Sequence, residues 1–226
     1  MWGVQMKAGV LGVVDGSFDA VDSVTETVSD GDNELERCLE IDRVFSLDGG
    51  EMAFAGRAAA ESVVDGTTTA IEDDGITVTD RERVETRYTE FVGVPGEFVV
   101  VGSGDGTFAF DLIGDQTGTD VTRATVDLDA FFDARDGATP WKAGFYGTGE
   151  DAVNGTIHGA DLRTDHDLDA LLEDSNLNQL GLSYAHGDRE LKMWAARSGY
   201  VEVYRPSEFE SAQYLSYLND EILPHV

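Results

Sequence analysis

EFVGVPGEFVVVGSGDGTFAFDLIG, residues 90–114, is the most apolar stretch of this chain. Phe98, Val99, Val100 and Val101 form a β-branched run bounded by Pro95-Gly96 and Gly102. Such a run reads as a strand buried on both faces. Phe108, Phe110 and Leu112 then alternate with Thr107, Ala109 and Asp111, the two-residue period of a half-buried strand. Gly102, Gly104 and Gly106 can supply the positive φ that a tight hairpin needs. The stretch therefore predicts two paired strands, with the β-rich first half built around them. A glycine-rich loop can cradle phosphate where it opens a helix. With residues 107–112 read as a strand, no helix N-terminus is available, and the loop is expected to be a plain turn.

Upstream, Trp2, Val4, Met6, Ala8 and Val10 alternate with polar or small residues and predict a first strand. Phe18, Val21, Val24 and Val28 recur at helical spacing between a candidate cap, Ser17, and Gly31. The β-branched content opposes that helix. Leu35, Leu39, Ile41, Phe45 and Leu47 occupy odd positions against Glu36, Glu40, Asp42 and Ser46. Asp48-Gly49-Gly50 turns this strand, and Met52, Phe54, Gly56 and Ala58 form its return. Residues 67–71 and 76–79 predict another hairpin across Asp73-Asp74-Gly75, and Val84, Thr86, Tyr88 and Val92 continue the alternation. Turns every 8–12 residues or so are the mark of an antiparallel meander, folded as a sandwich or barrel.

Downstream, GDQTGT at 114–119 is the best boundary, giving a β-rich domain over 1–115 and an α+β domain over 119–226. A single core shared by the two is the alternative. DLDAFFD at 127–133 is echoed by DLDALLE at 167–173; both read as acidic helix starts that complement the helix dipole. Strand-like segments follow at 142–146, 156–158, 181–184, 191–195 and 200–204. The chain closes in its clearest helix. Ser207-x-x-Glu210 reads as a capping box, and Phe209, Ala212, Leu215, Leu218 and Ile222 form one face. The fold class expected is α+β, β-rich, with a C-terminal helix.

Asp and Glu number 45 against 15 Lys and Arg, a formal net charge of -30 over 226 residues. Apolar residues make up 41% of the chain, so it is not a disordered acidic tail. A folded domain so charged repels itself in dilute buffer. At molar salt the Debye length falls to about 3 Å and most of that cost disappears. The composition resembles that of cytoplasmic proteins from salt-in halophiles. The expected location is therefore a high-salt cytoplasm or a virion. No apolar run reaches the length of a membrane span. Cys38 is the only cysteine, which excludes an intrachain disulfide.

Candidate chemistry is sparse. His158, Asp161 and His166, among further aspartates, could hold a divalent metal, but no paired ligand spacing is present. Asp30-Gly-Asp-Asn-Glu34 lacks the sixth-position glycine and twelfth-position glutamate of a calcium loop. Gly-x-Ser-x-Gly is absent, and Cys38 has no histidine near it in sequence. Arg81, Arg83 and Arg87 share one strand face, and Lys192 and Arg197 are interleaved with Trp194. Arginine with aromatics suits single-stranded nucleic acid, while cross-strand ion pairing is the structural alternative. Tyr200, Tyr204, Phe209, Tyr214 and Tyr217 concentrate aromatics near the C-terminus, where amphipathic rings suit an interface. No cofactor is expected. The leading expectation is a non-enzymatic protein-binding or self-assembly module of a salt-adapted cell or virus, forming a homo-oligomer or larger assembly. The alternatives are an accessory nucleic-acid-binding protein and a metal-dependent hydrolase.

Overall fold

A computed structural model describes residues 5–31, 33–73, 75–135, 137–147, 154–165 and 175–226. Twelve described strands form one antiparallel sheet. They are β1 (Ala8–Asp15), β2 (Val24–Asp30), β3 (Asn33–Ser46), β4 (Met52–Glu72), β5 (Gly75–Val94), β6 (Phe98–Val101), β7 (Asp120–Arg123), β8 (Thr139–Gly147), β9 (Gly155–His158), β10 (Ser175–His186), β11 (Arg189–Ala196) and β12 (Tyr200–Arg205). The order is β2-β3-β4-β5-β6-β1-β12-β11-β10-β8-β9, with β7 also on β1. The β-rich α+β class holds, and the sheet is open rather than closed into a barrel. β1 joins the two halves. It pairs with β6 along one edge, and along the other with β12 through Ala8–Val10 and with β7 through Gly12–Asp15.

The opening stretch folds differently from its period-2 reading. Phe98–Val101 is the buried strand β6, but Gly104–Thr107 is a 3-10 turn and Phe108–Thr117 is helix α1. The alternation of Phe108, Phe110 and Leu112 overlooked Ala109 and Ile113, which are also buried and complete a helical face. Gly118, at φ 69°, ends the helix in the left-handed region, its N–H donating to Gly114 O. The helix expected from Ser17 is also overturned. Val24–Asp30 is an edge strand paired with β3, and its β-branched residues suit a pleated surface better than a helix. Among the described residues the first strand starts at Ala8, so Met6 precedes it; the expected start at Trp2 lies outside the described residues.

The other described helices are α2 (Leu128–Asp133), α3 (Leu162–Asp165) and α4 (Ser211–Tyr217), the last continued by turns through His225. Asp127 caps α2, accepting from Ala130 N at 3.0 Å. The second acidic helix start, 167–173, lies outside the described residues. The cap of α4 sits one turn later than the Ser207 reading. Glu210 is the N-cap and forms its box with Gln213, while Ser207 donates to Glu208. No described helix is long and apolar enough to cross a membrane.

Two cores lie on opposite faces of the sheet. On one face α2, α3 and α4 cover Leu11, Val92, Phe98, Leu180, Met193 and Val201. On the other, α1 covers Val10, Leu39, Phe54, Phe91, Val99 and Val101. The first core draws residues from both sides of the 115–119 boundary.

Candidate docking surfaces

β4 and β5 pair without a break from Phe54↔Gly93 to Glu72↔Gly75. Their neighbours stop early: β3 reaches β4 only as far as Ala60, and β6 reaches β5 only over Phe91–Val94. Residues 61–72 and 75–86 therefore form a two-stranded ribbon with no third strand among the described residues. Twelve residues at a strand's rise span roughly 35–40 Å.

Directly paired residues share a face. One face of the ribbon carries Val63–Val84, Asp65–Glu82, Thr67–Asp80, Thr69–Val78 and, at the tip, Ile71–Ile76. Ile71 is 88% exposed, Ile76 73% and Val78 61%. The opposite face carries Val64–Arg83, Gly66–Arg81 and Ala60–Arg87, so the three arginines do stand together. Arg83 pairs with Glu85, and Arg87 lies 4.9 Å from the Phe108 ring centroid.

A second surface lies on the α1 side of the sheet, across β8, β10, β11 and β12. Lys142, Gly181, Trp194 and Glu202 form one cross-strand row. A Cβ on Gly181 would sit 2.6 Å from the Trp141 ring, so this glycine lets that indole lie across the sheet. The Lys142 ammonium is 4.2 Å from the Trp194 ring centroid and the Lys192 ammonium 4.4 Å from that of Trp141. Trp141 meets Tyr204 edge-on, and Trp194 meets Tyr200. Neither indole N–H has a partner among the described residues. Burial lowers the Lys142 pKa, and burial with the adjacent Glu202 carboxylate pushes the Tyr200 phenol up to about 12. Trp194 and Lys192 were legible in sequence as an aromatic-basic group. Trp141 and Lys142, fifty residues upstream, were not joined to it, because only the β8–β10–β11 pairing brings them there.

The remaining expected residues are placed elsewhere. Tyr214 and Tyr217 are fully buried and Phe209 nearly so, all in the chain's own core. The Tyr214 hydroxyl donates to Val201 O at 2.7 Å, and the Tyr217 hydroxyl is 3.0 Å from that of Tyr184. As folded they offer no docking surface; of the five aromatics, Tyr200 and Tyr204 belong to the surface just described. Arg197 is held by Asp129 at 2.7 Å and by Leu177 O, away from the tryptophan row. His158 is exposed on β9, Asp161 accepts from Arg163 N at the start of α3, and His166 lies outside the described residues. Among the described residues no three His, Cys, Asp or Glu gather as a metal would need. Cys38 is half-buried and accepts from the Thr25 hydroxyl.

A cleft of ≈ 360 Å³ lies between β2, β3, β4, β5 and α1, lined by Val28, Leu35, Arg37, Arg87 and Phe108 among others. No protein-family model matches the chain, and comparison with curated proteins finds no match.

Proposed function

We propose that the chain is a self-assembly module of a salt-adapted cell or virus, and that the β4–β5 ribbon is its docking arm. The observation that carries this is the unsupported ribbon with an exposed Ile71–Ile76 tip. A two-stranded ribbon is marginal in water by itself. Covering each isoleucine is worth about 1.5–3 kcal/mol, so the tip favours a covered state.

The test is absolute mass by light scattering after gel filtration in roughly molar KCl. The unmodified protein is expected at a multiple of its 24.4 kDa chain mass. Ile71→Asp/Ile76→Asp is expected to weaken association by about 100-fold or more. At concentrations low enough for both proteins to be single chains, its thermal unfolding should hardly change, because both side chains are exposed in the single chain. An unmodified protein at one chain mass, or a tip variant with unaltered assembly, contradicts the proposal.

The salt-adapted part has its own check. With 45 acids against 15 basic residues, the unfolding temperature is expected to fall steeply as KCl is lowered from about 1 M to about 0.1 M. A flat response would remove it.

A second reading has one observation in its favour: Arg81 and Arg83 stand exposed on one ribbon face. An accessory nucleic-acid-binding role predicts that Arg81→Ala lowers oligonucleotide affinity; no binding by the unmodified protein excludes it.

A further inference from the structure

We propose that the apolar and acidic face of the ribbon docks on the Trp141, Lys142, Lys192 and Trp194 surface of a second copy of this chain. This rests on the reading of the ribbon as a docking arm and names what receives it. Two properties of the receiving surface set it apart. Lysine is scarce here: Lys7, Lys142 and Lys192 are the only three, and two of them stand together on this patch, each over a tryptophan. The patch is also uncovered by any described helix. On this side of the sheet α1 packs over β1 and β3–β6, while α2, α3 and α4 pack on the opposite side.

The ribbon complements it in charge and in shape of polarity. Asp65 and Glu82 lie directly opposite each other, and Asp80 is two residues further along the same face. Like charges paired across strands are destabilising, so this face gains from a cation placed against it. Val78 is two residues beyond Asp80, roughly 7 Å along the strand, and the isoleucine tip follows. An apolar row next to an acidic row thus meets indoles lying within 4.4 Å of ammonium groups. Contacts of this kind survive in high salt, because ions shielded from solvent are screened much less than exposed ones.

The contact must be between molecules. β5 and β11 are four strands apart, roughly 19 Å, and the ribbon extends away from the body beyond β3 and β6. Because arm and receiving surface are different patches, the contact is head-to-tail and generates a ring or an open chain of copies.

The experiment uses two variants of the full chain and their mixture, in roughly molar KCl, with mass read by light scattering. Lys142→Glu/Lys192→Glu removes the receiving surface and keeps the arm. Ile71→Asp/Ile76→Asp does the reverse. Each alone is expected at one chain mass, with association weakened about 100-fold or more. Mixed in equal amounts they are expected to form a two-chain species and nothing larger, since one good arm and one good surface remain. Lys142→Gln/Lys192→Gln keeps the side-chain stems over the indoles and should weaken association less, which separates lost charge from lost folding. If the lysine variants keep the unmodified assembly while the tip variant loses it, this inference is wrong and the docking-arm reading stands. If both variants are single chains but the mixture does not pair, the arm and this surface do not receive one another and this inference is again wrong. An unmodified protein at one chain mass removes both.

Discussion

Tyr214→Ala is expected to destabilise the fold by about 4 kcal/mol, read as the shift in urea midpoint in high salt. Tyr214 projects from α4 into the main core with no exposed surface. Removing the ring leaves a cavity there and withdraws the hydroxyl that donates to Val201 O. Burial also holds this phenol well above its ordinary pKa, so it stays a neutral donor across the working pH range. Tyr214→Phe removes the hydroxyl alone and should cost about 1 kcal/mol. Tyr204→Ala, at a position 42% exposed, should fall within about 1 kcal/mol of the unmodified protein. A Tyr214→Ala protein of unchanged stability but altered mass would return the C-terminal helix to the role of docking element.

Gly12→Val is expected to cost about 3 kcal/mol, also by denaturant midpoint. Gly12 lies in β1, between β6 and β7, and the far end of the Phe110 ring of α1 abuts it. A Cβ there would meet three ring atoms at 2.7–2.9 Å. The nearly buried Phe110 has no room to retreat, so α1 must lift from the sheet. An unchanged midpoint would mean that α1 is not seated on β1 as described. Both substitutions act on the body of the fold and leave the ribbon tip untouched.

Much of the sheet was legible because its strands are half-buried and alternate. The odd-position apolar residues of β3 and the β-branched run of β6 mark strands directly, and the five downstream strand segments all fall within β8–β12. The helix α1 was not, because Phe108, Phe110 and Leu112 fit a strand period while Ala109 and Ile113, small or late in the run, supply the helical one. Edge strand β2 failed for the converse reason: four apolar residues at helical spacing outweighed the β-branched character of Val24 and Val28. For the candidate surfaces the division is similar. The tip hairpin was readable from Asp73-Asp74-Gly75, but the exposure of its isoleucines was not, since it depends on where β3 and β6 end. The clustering of C-terminal tyrosines was visible, yet only packing decides which are used inside the chain.

Hydrogen exchange of the ribbon amides as a function of protein concentration, in roughly molar KCl, tests the docking arm most directly. The account predicts that amides of residues 67–80 exchange fast in dilute solution, as in an unsupported ribbon. On concentrating they should become protected, together with residues 141–142 and 192–194, while β1 and β6 stay protected throughout. Residues 67–80 exchanging fast at every concentration, with the body of the sheet protected, would contradict it.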